Sequence, residues 1–290
     1  MDIAPTLMCG TKKRAPPPKL QYPLESGVHR SLDKTIVRRF RDGKALKTQI
    51  GYTYIRKERT MRSCSSVPKA PRKGCKDVFN EFMLRGIKTS GYYQIPVINP
   101  TKKVPKKLVT FSDAVCGRVS PEPGTWFQFY EDDCKFERFW DNPKKYAELL
   151  RGYEGCIAPD YSLYADFTQA QKIWNTHRNY ASGAWLQQTM GFEVLANVRT
   201  AGWDSIPYSL AGAPRNSPIA IGSHGCLKNR TDRSRFITDL KMVIDILHPS
   251  LIVVYGTDSY ESFDYPKQLG IPITVFPSVM TQRLGDAREC

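Results

Sequence analysis

Asp160, Arg199 and His224 are the residues whose types and spacing suggest chemistry. Each follows directly on a short apolar run, in Cys156-Ile-Ala-Pro-Asp160, Val194-Leu-Ala-Asn-Val-Arg199 and Ala220-Ile-Gly-Ser-His224. An aspartate, an arginine and a histidine at the same end of a parallel sheet are expected to share one pocket, where they could hold an anionic group by a forked hydrogen bond and move a proton near neutral pH, although sequence order does not fix which strands are neighbours. Asn197, Ser223, Lys228 and Tyr255 stand beside them in the sequence as ligand-binding candidates, with Asp132, Asp133 and Ser162 at further strand ends. The same set is equally able to form a buried hydrogen-bond network. Neither a G-x-S-x-G nucleophile turn nor a Walker lysine loop is present, so no named reaction and no cofactor follows. The turn Gly222-Ser-His-Gly-Cys226 reads as an anion cradle or as a tight turn that needs glycine. His224 with Cys226, or Cys64 with Cys75 and His29, would need further partners to bind zinc, and no metal site is expected. His177 reads as packed on its helix.

These residues must be positioned by alternating strands and helices. Apolar runs at 125–130, 156–160, 193–199, 218–223, 251–255 and 273–276 are separated by stretches long enough for crossover helices. The capping-box spacing Asp166-Phe-Thr-Gln169 predicts a helix from there to Gly191, with Phe167, Ala170, Trp174, Ala181 and Trp185 on one face. Asn175, Arg178 and Asn179 share another direction and would hold a strand-end carboxylate such as Asp160. A second helix over 233–247 carries Phe236, Ile237, Leu240, Val243, Ile244 and Leu247 and stops at His248-Pro249. The pattern implies an α/β fold: a mostly parallel sheet of about six strands with crossover helices, either an open sheet or an incomplete TIM-like barrel. In such sheets ligands sit at the carboxyl ends of the strands.

Charge divides the chain. Residues 1–110 hold 25 Lys and Arg against 7 Asp and Glu, a net of +18, while residues 111–290 have a net of −3. A basic, largely irregular and partly disordered N-terminal extension over 1–107 is therefore expected before an α/β domain at 108–290. Within it, Arg38, Arg39, Arg41, Arg56, Lys57 and Arg59 alternate with Ile36, Phe40, Tyr52 and Tyr54, as stacking plus phosphate contact would require. Nucleic acid, bound electrostatically and without sequence preference, is the expected partner; a small hairpin or helix pair docked by its apolar side on the main domain, with solvated basic residues outside, is the other reading. No apolar window approaches a membrane span or a signal-peptide core, so the expected location is the cytoplasm, with no membrane partner.

The motifs FQFYEDDCKFERFWDNPKKY (127–146), IAPDYSLYADFTQAQKIWNTHRNYASGAWLQ (157–187), VLANVR (194–199), AIGSHGCLK (220–228) and IVVYGT (252–257), taken in order, resemble the family called domain of unknown function 4417. The resemblance covers roughly 108–280. That family occurs chiefly in bacteriophages, plasmids and integrative elements, which implies an accessory protein of a mobile element and carries no activity with it. Its pattern places Trp directly after NVR; here Thr200 follows and the tryptophan is Trp203. The alternative function is an enzyme acting on a nucleotide or another phosphorylated or glycosyl substrate at the strand ends.

Overall fold

The computed structural model describes residues 77–279 and residue 281; the basic positions Arg38 to Arg59, and Cys64, Cys75 and His29, lie outside them. The chain begins with a 3-10 turn at Glu81–Leu84 and a two-stranded antiparallel hairpin, β1 (Thr89–Ser90) with β2 (Ile95–Pro96). Seven parallel strands follow: β3 (Lys107–Thr110), β4 (Thr125–Gln128), β5 (Gly155–Ile157), β6 (Glu193–Leu195), β7 (Ile219–Gly222), β8 (Ile252–Tyr255) and β9 (Ile273–Phe276). They pair strictly in chain order as β3-β4-β5-β6 and β7-β8-β9. A parallel bridge joins the two groups, with Val198 N–H donating to Ala220 O and Ala220 N–H to Ala196 O, both at 2.9 Å. The seventh strand, β3, escapes sequence reading because it lies in a lysine-rich run and buries only Val109 and Thr110.

Short helices α1 (Phe111–Val115), α2 (Asp133–Asp141), α3 (Pro143–Leu149), α5 (Ile206–Ser209) and α7 (Asp264–Gln268) accompany two long ones, α4 (Gln169–Gln188) and α6 (Arg230–Leu247). Right-handed crossovers between sequentially ordered parallel strands put the helices on one face of the sheet. Packing agrees. Phe127, Cys156 and Val194 join Phe136, Tyr180, Ala184 and Trp185 in one core. Ile219, Ile221, Ile252 and Val254 join Leu240, Val243, Ile244 and Leu247 in another. The alternate strand residues Trp126, Ile157, Leu195, Ala220 and Val253 form a separate apolar cluster on the opposite face.

That opposite face is concave. Tyr130, just past β4, stacks on Tyr255 of β8 with ring centroids 4.7 Å apart. Four strand steps in a flat sheet would separate them by about 19 Å. Only a sheet that curls toward this face brings them together.

The cap of α4 is Thr168, not Asp166: its hydroxyl accepts from Gln171 N–H and Gln171 reaches back to the Thr168 N–H. Gly191 at φ +83 and a Phe192 N–H···O Leu186 bond close the helix as expected. Its predicted apolar face is correct only in the second half. Ala181 and Trp185 are buried, whereas Ala170 and Trp174 are exposed. The second helix starts three residues earlier than its pattern suggests, capped by Asn229.

Segment 95–101 is strapped across α4. Gln188 donates to Val97 O, Gln187 exchanges two hydrogen bonds with Asn99, and Ile98 N–H donates to Gly212 O. The approach is so close that a Cβ on Gly212 would lie 2.2 Å from Pro96 O, and one on Gly183 2.7 Å from Ile98. Met83, Ile87, Ile95 and Ile98 belong to the same buried core as β4 and α4. Among the described residues no helix is long and apolar enough to cross a membrane.

Candidate functional site

Beyond Ile157 the β5 chain keeps strand-like pairing through Ala158 N–H to Leu195 O, then turns at Pro159 and presents Asp160 at the carboxyl edge. Asp160 Oδ2 accepts from Arg199 Nη1 at 3.2 Å and Oδ1 from Asn197 Nδ2 at 2.8 Å. Asn197 also donates to Pro159 O at 3.2 Å, and its Oδ1 accepts the Tyr130 hydroxyl at 2.9 Å. The Tyr130 backbone N–H is held by Gln128 Oε1. Tyr255, stacked on Tyr130, accepts from Val279 N–H through its hydroxyl at 3.3 Å. Beneath Tyr130 lies Gly222, where a Cβ would stand 2.7 Å from the ring and 3.6 Å from Arg199 Nη1. Five strands, β4 to β8, thus supply one cluster at one edge.

The ion pair is shielded: the side chains of Asp160 and Arg199 are 11% and 20% exposed. Burial pushes the Asp160 carboxyl above the usual aspartate range, against the opposing pull of Arg199 and the Asn197 hydrogen bond. Asp160 in turn holds the Arg199 guanidinium firmly protonated, against its own desolvation. Burial, and then the Asp160 charge, raise the Tyr130 phenol well above its ordinary value. Burial also raises the Cys226 thiol, partly offset by Arg199. Arg199, Gly222 and Cys226 line a cavity of about 30 Å³ with residues of α6. That is the share of liquid volume of roughly one water, far short of a nucleotide.

Not all the expected residues join the cluster. Asp160, Arg199, Asn197 and Tyr255 meet. His224 shares the edge, but it is exposed and makes no hydrogen bond or ion pair with the others among the described residues. Ser223 is buried and fully used: its hydroxyl donates to Thr257 O at 2.6 Å and accepts Thr257 N–H at 2.8 Å, tying the ends of β7 and β8. Lys228 is exposed. Asp132 is exposed and pairs with Lys135. Asp133 accepts from the backbone and hydroxyl of Ser162, joining the loops after β4 and β5.

The polar residues of α4 anchor a loop and not the Asp160 carboxylate. Asn179 accepts from Tyr161 N–H at 2.8 Å, Asn175 donates to Ser162 O at 2.7 Å, and Arg178 spans Glu137 and Asn175 while lying 3.6 Å over the Tyr161 ring. They reach the backbone one and two residues past Asp160, whose own oxygens already face β6. On the other long helix Asp239 accepts Gly202 N–H at 2.9 Å and fixes the loop after β6, on which Trp203 is exposed. Among the described residues no group of three or more His, Cys, Asp or Glu could hold a metal ion.

The family model described as "Domain of unknown function (DUF4417)" matches residues 87–271. The chain belongs to this family. Two curated relatives are both named Gene 1 protein: that of Mycobacterium phage L5 is 29% identical over 192 residues, 66% of this chain and 82% of its own length. That of Mycobacterium phage D29 is 29% identical over 172 residues, 59% of this chain, and the match spans 63% of the D29 protein. No solved structure matches. The family segment contains the whole strand-edge cluster from Gln128 to Tyr255 and leaves out every basic position from Arg38 to Arg59.

Tyr130 and Gln128 were missed by the sequence reading, and Gly222 was read there only as part of a turn. A signal for the first two exists: in Phe127-Gln-Phe-Tyr130 the polar residues alternate with buried phenylalanines, so both belong to the face opposite the helices. Nothing local marks the contact of Gly222 with a ring, because that ring belongs to Tyr130, 92 residues earlier.

Proposed function

We propose that this phage-type protein is an accessory protein of a mobile element, acting in the host-cell cytoplasm, that associates with nucleic acid through its basic N-terminal region. The observation that carries this reading is where the charge resides. Residues 1–76 hold 19 Lys and Arg against 5 Asp and Glu, whereas residues 77–290 hold 24 against 23. Of the four lysines at 102–107, two are paired with carboxylates: Lys103 with Glu154 and Glu193, and Lys107 with Glu122. Attraction to a polyanion therefore rests on the N-terminal region, with Arg38, Arg39, Arg41, Arg56, Lys57 and Arg59 as contact residues. The α/β domain, in our reading an incomplete barrel, provides partner contact or specificity. If about 6–10 phosphates are neutralised, affinity for DNA falls by about 10³–10⁵ between 50 and 200 mM salt. A salt-independent affinity would overturn the reading.

The enzyme reading is supported by one observation, the convergence of Asp160, Arg199 and Asn197 at the carboxyl edge where α/β sheets bind ligands. The size of the adjoining cavity speaks against a bound nucleotide in this conformation. Turnover of nucleoside phosphates and of phosphorylated or glycosyl substrates by the full chain tests it: turnover lost in R199K, which keeps the charge, would support the enzyme reading, and no turnover of any of them would count against it.

A further inference from the structure

The exposed first half of α4 has a second feature. Ala170, Ile173, Trp174 and His177, at helical spacing, form with Tyr93 of the β1–β2 turn an open groove of about 350 Å³. That lies within the roughly 300–1,000 Å³ of clefts that hold small ligands or single groups. Three of its five lining residues, Tyr93, Trp174 and His177, carry flat rings. Trp174 and His177 stack nearly parallel, 12° apart at 5.7 Å, and Tyr93 meets Tyr92, which is 91% exposed, edge to face. Phe79 packs its edge against Trp174 at 6.0 Å.

We propose that this groove takes an unpaired base of single-stranded nucleic acid. The inference rests on the preceding reading, that the N-terminal region binds nucleic acid, and names the form bound and a stacking platform for it. Phe79 is the link. The described residues begin at Asp77, two residues before the ring that packs on Trp174. Arg72, Lys73 and Lys76 stand within five residues of Asp77 in the sequence. Between residues 72 and 88 there are five basic residues against two acidic. Cationic side chains that track phosphates beside aromatic faces that stack bases are the pair of features that single-strand binders combine. A duplex keeps its bases stacked inside and offers such a groove nothing.

The test uses the full chain with a fluorescein-labelled oligothymidylate and a duplex of equal length, read by polarisation. Two variants are compared: W174A removes the stacking face, and A170L fills the groove at an exposed helical position without changing charge, so that it decides the matter if W174A does not fold. The expected result is tighter binding of the single strand than of the duplex, and a roughly 5- to 150-fold loss of single-strand affinity in the variants with duplex affinity unchanged. Single-strand affinity unchanged in folded variants overturns the groove while leaving the electrostatic reading intact. An equal loss for both nucleic acids overturns the stacking role. No binding of either by the unmutated chain overturns the underlying reading itself. A concentration-dependent dimer abolished by A170L, with oligothymidylate binding unaffected, would assign the groove to a second copy instead.

Discussion

Asp160 and Arg199 show how a residue pair can be recognised in sequence while its role is not. Their types and positions after apolar runs identified them; that both oxygens of Asp160 would be taken by Arg199 and Asn197 could not be read, because it depends on β5 and β6 lying side by side, which sequence order does not fix. A shielded pair with little free volume behaves as a fold element. D160A and R199A should each lower stability by about 3–5 kcal/mol in urea denaturation, since each leaves a buried partner uncompensated. A loss below about 1 kcal/mol would mark the pair as free for a ligand. His177 gives a pH signature of its own. Burial lowers its pKa, so the folded protein binds its proton less readily than the unfolded chain. That stability is present above the unfolded value of about 6.5 and is lost as pH falls through the lower, folded value. H177Q should flatten the melting temperature across that window; an unchanged slope would exclude His177 as its source.

At the scale of elements, periodicity located both long helices because each has a stripe that must be covered. The first turns of α4 were misread for a physical reason: Ala170 and Trp174 continue the stripe, but the core ends before them and an open groove takes its place. The strand β3 was lost in a lysine-rich run, in which Lys103 and Lys107 meet their partners Glu154, Glu193 and Glu122 only in three dimensions. Gly222 illustrates a contact between elements that no local pattern reveals. In G222A the new methyl would meet the Tyr130 ring, forcing it off its stack on Tyr255 and away from Asn197. The expected cost is about 1–3 kcal/mol, with Tyr130 ring resonances shifted in NMR spectra. Unshifted resonances and unchanged stability would show that the sheet edge is looser than this packing implies.

For the whole molecule, strand order was beyond reach of the sequence, whereas the uneven charge was plain from it. The buried core also reaches further back than Leu108. Met83, Ile87, Ile95 and Ile98 are each at most 4% exposed, and burying four such side chains contributes roughly 6–12 kcal/mol, comparable to the stability of a domain. A fragment starting at Asp77 should unfold cooperatively, and one starting at Leu108 should not; equal melting of the two would show that the strap over α4 is dispensable. The central claim is that the N-terminal basic residues contact phosphates. It is tested most directly by the slope of log affinity against log salt for DNA binding by the full chain. The comparison is with a variant in which Arg38, Arg39, Arg41, Arg56, Lys57 and Arg59 are all changed to Gln. Each lost phosphate contact lowers the slope by about 0.9, so the variant should bind more weakly and its slope should fall by about 5. An unchanged affinity and slope would contradict the account.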